Sequence, residues 1–303
     1  MPRTRRIVSG AGSRRRIAEE LETSGAQRVA VISSPSVAAQ AQYAEITAAL
    51  GSRTVLEFRE IKPHPPTDMV VELIRQCAEA QPDAYLAIGG GSVVDCAKFA
   101  SLGVAENITD GETLMDFGVH FEYPDKEWTR PLTGEMRSVY SLPTTLSAAE
   151  WDGFAGTVDP ATGTKYVARY LELTPTVVFL DPEVAATTPR DLWATTGMRA
   201  VDHAIETSYA RNAMPVTTTL ALGALSALHD NLARSVTHPN DLEAALECQW
   251  AAMMSIIGVH NVSLGLSHAI GHQLGGFGVP HGVTSCITLP HVMRFLLPAT
   301  QRE

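Results

Sequence analysis

Charge is scarce in this chain of 303 residues, 18% of which are Asp, Glu, Lys or Arg, against roughly 25% in a typical soluble domain. The scarcity is uneven: between Glu247 and Arg294 there is no charged residue at all, a gap of 46 positions. The charge that remains leans acidic, 33 Asp+Glu against 23 Lys+Arg for a net charge of −10. That balance argues against nucleic acid or an anionic membrane as partner, since both recruit clustered basic charge. Cysteine is rare too. Cys77, Cys96, Cys248 and Cys286 form no CxxC and no regular framework, which argues against a disulfide scaffold and for reduced, packed thiols in a cytoplasmic protein. The arginine-rich start (Arg3, Arg5, Arg6, Arg14, Arg15, Arg16) has no apolar run behind it. A secretory signal is thereby excluded, and the segment reads as a strand, a Gly10–Gly12 turn and a helix in preference to an organelle transit peptide.

What is present is apolar residue, 45% of the chain, enough to exclude disorder, over a length that suggests two domains. The charge-free gap is long enough to raise a membrane span. It also holds five histidines (His260, His268, His272, His281, His291), seven glycines, Pro280 and Pro290, and such residues are costly against lipid. A buried core carrying a polar site is the better reading.

The first half alternates strand and helix signals. Apolar or β-branched runs at 28–33, 84–88, 139–142 and 176–180 read as strands, and residues 15–24 and 67–80 carry helical spacing. The run at 84–88 lacks alternation, as a strand covered on both faces should. Residues 103–137 read as a surface excursion. From about Pro189 the strand signals fade, and 190–211, 212–235 and 241–258 read as helices, the middle one nearly charge-free and so expected to be buried. The expectation is an α/β domain over 1–183 with a mainly parallel sheet, followed by an all-α domain over 184–303.

Two groups of residues could carry chemistry. The strand at 84–88 ends in Gly89-Gly90-Gly91-Ser92, where backbone N–H groups and a helix N-terminus could approach a pyrophosphate. The spacing is not GxGxxG, because Val94 takes the third glycine position, and a tight strand-to-helix turn is the plain alternative. The second group is histidine. His268 and His272 stand at i and i+4, so on a helix they share a face. His281 follows a glycine-rich break, and His203 lies beside Asp202 with Glu206 one turn on. Converging imidazoles suit a Zn²⁺ or Fe²⁺ site or neutral acid–base work, and spacing does not choose between them. His229, His238 and His291 read as structural or surface residues.

The segments GGGSVVDCAK (89–98), PTTLSAAE (143–150), Lys165, Asp181–Pro182, GMRAVDHAIE (197–206) and His268 to His291 occur in order. Together they resemble the iron-containing alcohol dehydrogenase superfamily, most closely its maleylacetate-reductase-like branch. The resemblance implies the fold shared with dehydroquinate synthase-like proteins: an N-terminal α/β dinucleotide-binding domain and an all-α C-terminal domain. It implies NAD or NADP held by Gly90, Gly91 and Ser92, with Asp95 near the nicotinamide end, Thr144, Thr145 and Ser147 lining the cofactor and Lys165 at its ribose. His203, His268 and His281 match family metal ligands, and His272 matches a histidine beside the substrate. Family chains generally continue past Met293 with further helices, which implies a second domain incomplete at its C-terminus. A homodimer is a family expectation.

Three positions depart from the pattern. Arg199 stands where the family places a metal-binding aspartate, one helical turn before His203. A guanidinium donates hydrogen bonds and accepts none, so it repels a divalent cation, and a metal-free variant is expected. Asp202 is no obvious substitute, because one residue along a helix turns the side chain by about 100°. Ser34 stands where many members carry an acid for the ribose 2′-hydroxyl, which leaves NAD against NADP open. Phe154 replaces a cofactor-binding asparagine of some relatives.

The resulting expectation is an NAD(P)H-dependent reductase of a small oxo- or enoyl-carboxylate, maleylacetate foremost, as in aromatic degradation. Arg199 would hold the anion, and His272 or His203 would supply the proton. One competing reading is a metal-dependent alcohol dehydrogenase holding Fe or Zn on His203, His268 and His281, with another carboxylate in place of the missing ligand. The other is an impaired dinucleotide-binding protein.

Overall fold

A computed structural model describes residues 4–123, 126–276, 279 and 281–300. In chain order the strands are β1 (Arg6–Ser9), β2 (Val29–Ser33), β3 (Thr54–Phe58), β4 (Ala84–Gly89), β5 (His120–Glu122), β6 (Lys126–Trp128), β7 (Ser138–Pro143), β8 (Phe154–Val158), β9 (Lys165–Arg169) and β10 (Val177–Leu180). The helices of the first half are α1 (Ile17–Thr23), α2 (Pro35–Ala38), α3 (Ala41–Leu50), α4 (Thr67–Ala80), α5 (Gly91–Ala105) and α6 (Gly111–Asp116). Those that follow are α7 (Pro182–Ala185), α8 (Arg190–Ser208), α9 (Pro215–Thr237), α10 (Leu242–Ile257), α11 (Leu266–Gly276) and α12 (His281–Thr300). The chain divides into two compact units. One takes residues 2–143 and 152–181, the other chiefly 144–151 and 182–303.

In the first unit six strands form one parallel sheet in the order β1-β10-β7-β4-β2-β3. Every residue of β2 and of β4 is buried, which is why their sequences run apolar without alternation. From β2 the chain moves outward to β3, whereas from β4 it moves the other way to β7. The carboxyl ends of β2 and β4 therefore flank a topological switch point, where open α/β sheets bind ligands.

Expected strands at 28–33, 84–88, 139–142 and 176–180 are present, and α4 spans the expected 67–80. The amino-terminal strand, turn and helix are present as well: β1 joins the sheet beside β10, and a short 3-10 turn precedes α1. The reading of 103–137 as a surface excursion needs correction. Its first residues finish α5, and Ile108, Leu114 and Phe117 are buried anchors. The β5–β6 hairpin, with Phe121 68% and Tyr123 87% exposed, and residues 129–137, none of them buried, do lie at the surface.

The second unit is helical. α8, α9 and α10 meet over small side chains, Ala204, Ala221 and Ala224, with Leu225 and Met254 packed against them. The expectation of a buried α9 is not met. Thr217, Ala221, Ala224, Leu228 and Ser235 face inward at helical spacing, while Val216 and Leu222 are 61% and 54% exposed. The outer face carries Thr219, Ser226, His229, Asp230 and Arg234 beside the exposed Val216 and Leu222, so scarcity of charge did not mean burial here. Among the described residues no helix is long and apolar enough to cross a membrane. The charge-free stretch contributes most of α10, α11 and most of α12.

Candidate active site

In the first unit the glycine turn leads from β4 into α5. A Cβ on Gly89 would sit 2.6 Å from Cγ2 of Val93, so only glycine lets the strand end and the first helical turn approach this closely. Gly90 is the extended N-cap of α5, no side chain caps that helix, and Gly90, Gly91 and Ser92 are partly exposed. An uncapped helix start of this kind suits an anionic phosphate. In the sheet Gly89 stands opposite Pro143, and Ser33 opposite Ile88. Ser34, half-buried at the end of β2, has only a hydroxyl to offer, 3.2 Å from that of Ser36.

Asp95 lies one turn into α5. Its Oδ2 accepts from the backbone N–H of Gly156 at 3.0 Å. Burial pushes this carboxyl up to about 6, against the opposing pull of Lys98 and Lys165. Lys165 opens β9, and a Cβ on Gly156 would meet its Cε at 2.8 Å, so Gly156 is the gap through which the lysine stem passes. Lys98 is fully buried and donates from Nζ to Asp152 Oδ1 at 2.8 Å and to the carbonyl of Phe154 at 2.6 Å. That ties α5 to the β8–β9 hairpin. Phe154 thus serves through its carbonyl.

The segment 144–148 belongs to the second unit. Thr144 and Thr145 are buried, and Thr145 Oγ1 donates to Ser147 Oγ at 3.3 Å. The backbone N–H of Leu146 donates to Thr196 Oγ1 on α8 at 3.2 Å. Thr188 donates to the carbonyl of Thr144. The stretch turns at Ala148, whose φ of +66° is strained for a residue with a Cβ.

The polar centre of the second unit is built on α8. Arg199, Asp202, His203 and Glu206 stand at helical spacing. Asp202 and Glu206 are fully buried, and His203 nearly so. Asp202 Oδ2 accepts from Ser285 Oγ on α12 at 2.7 Å and from Ser267 Oγ on α11 at 3.0 Å. Burial pushes the Asp202 carboxyl up to about 6, with the serine bonds and Arg199 opposing and Glu206 reinforcing. Arg199 Nη1 donates to Ser285 Oγ at 3.2 Å. Burial lowers the affinity of the guanidinium for its proton while Asp202 and Glu206 raise it, and arginine stays cationic in proteins. Glu206 Oε2 lies 2.7 Å from His268 Nδ1. The rings of His203 and His268 stack with centroids 4.9 Å apart and 27° between planes.

The structure therefore gathers Arg199, His203 and His268. The side chains of His272 and His281 lie outside the described residues. Glu206, Ser267, Ser285 and Tyr209 were not singled out as site residues by sequence reasoning. The only signal was position: Glu206 stands three residues after His203, Ser285 four after His281, and Ser267 next to His268.

A family model for iron-containing alcohol dehydrogenase matches residues 4–182, and one for the C-terminal region of the Fe-containing alcohol dehydrogenase family matches residues 193–303. The chain belongs to the iron-containing alcohol dehydrogenase family. It is an oxidoreductase of a family that uses NAD(H), and often iron, on small-molecule substrates. Dehydrogenase ALT3 of Alternaria alternata is 33% identical over 288 residues, covering 89% of this chain and 73% of that one. Maleylacetate reductase of Delftia acidovorans is 30% identical over 305 residues, covering 99% and 76%. The structure of an iron-containing alcohol dehydrogenase from Thermococcus thioreducens superposes with a TM-score of 0.87 at 26% identity, covering 99% and 77%. The parallel-sheet domain followed by a helical one is the architecture of this family, as the sequence motifs implied.

Proposed function

We propose that this oxidoreductase reduces a small oxo- or enoyl-carboxylate of the maleylacetate kind with NADH or NADPH, and does so without a divalent metal. The observation that carries the reading is Arg199, a guanidinium one turn before His203 and hydrogen-bonded to Ser285. At that position an iron site needs an anionic oxygen. A guanidinium offers no lone pair and repels a cation, so the residues present do not fit the ion of the family's name. They do fit a dinucleotide. The glycine turn, the uncapped start of α5 and the Asp95–Lys165 pair support cofactor contacts at Ser34, Gly90, Gly91, Ser92, Asp95 and Lys165, with Thr144, Thr145 and Ser147 as further contacts.

Bound reduced nicotinamide would supply the hydride to an electron-poor carbon. Arg199 holds the substrate carboxylate, or the enolate oxygen that develops, through charge-assisted hydrogen bonds. His203 delivers the proton that completes the two-electron reduction, with His272 as the other donor that the family resemblance implies. Ser285 fixes the guanidinium and is itself fixed by Asp202.

A second reading rests on one observation. Ligand atoms of Asp202, Glu206 and His268 lie within 4.8 Å of one another, a grouping that could hold a cation for a metal-dependent alcohol dehydrogenase. Against it, Glu206 already accepts from His268, Ser267, Gly265 and Tyr209. Oxidation of NADH and NADPH is measured with maleylacetate, simple aldehydes and simple ketones, before and after chelation and with added Zn²⁺ or Fe²⁺. Turnover of maleylacetate that survives chelation supports the first reading. Failure on every anionic substrate, with rescue by metal on an aldehyde, overturns it.

A further inference from the structure

Glu206 is the most heavily engaged side chain of the polar centre, and the metal-free reduction proposed above gives it no role. It is fully buried on α8. Its Oε1 takes the backbone N–H of Ser267 at 2.7 Å and the Tyr209 hydroxyl at 3.2 Å. Its Oε2 takes the backbone N–H of Gly265 at 3.0 Å, that of His268 at 3.4 Å, and lies 2.7 Å from His268 Nδ1. Three of these groups are amide N–H donors that cannot reverse, and they point at both oxygens. An ionised carboxylate is acceptor-only and can satisfy them all. Gly265 lets the chain approach the carboxylate closely, since a Cβ there would lie 2.7 Å from Oε1.

We propose that Glu206 is a positioning residue: it pins residues 265–268 at the start of α11, holds the His268 imidazole with its proton on Nδ1, and through the stacked His268 ring sets the orientation of His203. The inference rests on the reading of His203 as proton donor. A carboxylate bound to Nδ1–H fixes tautomer and ring plane together, because an imidazole so held turns Nε2 to its working side. The 4.9 Å stacking then passes that orientation to the neighbouring ring. Gln in place of Glu206 has nearly the same size but sets an NH2 against amide donors, so either an N–H or the imidazole loses its acceptor.

The test is ¹⁵N NMR of the histidine rings in the full chain near neutral pH, with His268 assigned from the spectrum of His268→Gln, alongside kinetics of Glu206→Gln and Glu206→Asp. In the unaltered protein His268 should carry its proton on Nδ1. Glu206→Gln should shift that signature, and with maleylacetate should lower kcat about 10- to 100-fold while KM moves far less, a range carried over from partners of metal-ligating histidines. Glu206→Asp, which keeps the charge, should recover part of the loss. A proton on Nε2 of His268 in the unaltered protein overturns the proposal, as does a Glu206→Gln variant with unchanged ring signals and kcat. Should Glu206→Gln not fold, the unaltered protein's spectrum and Glu206→Asp decide. Should maleylacetate not be turned over, the ring signature still decides the role of Glu206, so the two readings fail separately.

Discussion

Arg199 reaches Asp202 through Ser285: Nη1 donates to the serine hydroxyl at 3.2 Å, and that hydroxyl donates to Asp202 Oδ2 at 2.7 Å. A direct ion pair between the two would spend the guanidinium on its own helix. Relayed through a hydroxyl, the arginine is oriented and, on the proposed reading, keeps other donors for a substrate anion. Replacing Arg199 by Ala should lower kcat/KM for maleylacetate roughly 10- to 100-fold, the worth of charge-assisted hydrogen bonds of about 1.5–3 kcal/mol. Full activity of the metal-free Arg199→Ala enzyme on an anionic substrate would sink the role assigned to it.

Ser285→Ala cuts the relay and leaves both ends intact. A hydrogen bond of about 0.5–1.5 kcal/mol converts to a rise in KM for the carboxylate of roughly two- to tenfold, with a smaller change in kcat. Steady-state kinetics check this, with Ser285→Thr retaining the hydroxyl and most of the affinity.

Lys98 is fully buried, with Asp152 as its charged partner. Lys98→Met should cost about 3–5 kcal/mol, because it strands the carboxylate. The double variant Lys98→Met, Asp152→Asn should recover much of that. The comparison of thermal midpoints is decisive: equal losses in single and double variants would show that the pair does not hold the hairpin to α5.

Asp95 sets a pH dependence. Its carboxyl is raised from 3.8 to about 6 in the folded chain, so the native state binds the extra proton between those values. Stability contributed by this residue is therefore present at low pH and falls as pH rises through 6, by on the order of 3 kcal/mol at most. Asp95→Asn keeps an acceptor for Gly156 and carries no charge. Its stability relative to the unaltered protein should climb between pH 4 and pH 7, measured by denaturant midpoints at each pH; a difference independent of pH contradicts this account.

Much of this was legible in the sequence where a single physical cause dominated. Fully buried strands such as Ala84–Gly89 announce themselves by unbroken apolar runs, and the amphipathic α4 by its spacing. β3 went unread because Thr54–Phe58 is half-exposed at a sheet edge, with Glu57 interrupting its pattern. The β8–β9 hairpin went unread because its strength lies in Lys98 and Asp95, residues some 60 positions away along the chain. In the site, Arg199 and the histidines stood out by residue type. Glu206 was visible only as a neighbour of His203, and Ser267 and Ser285 not at all, since a buried serine or glutamate declares its partner only once the helices are packed.

Arg199, Asp202, His203 and Glu206 ride on the same 19-residue helix. On the function proposed above, which cation such a helix presents is decided by one side chain at 199, while the backbone, the two carboxylates and the histidine remain as they are. On that same proposal, a single substitution in such a fold exchanges an ion for a guanidinium, and dependence on metal supply for selectivity toward anions. The inherited part is the mount, and the chemistry fastened to it is replaceable.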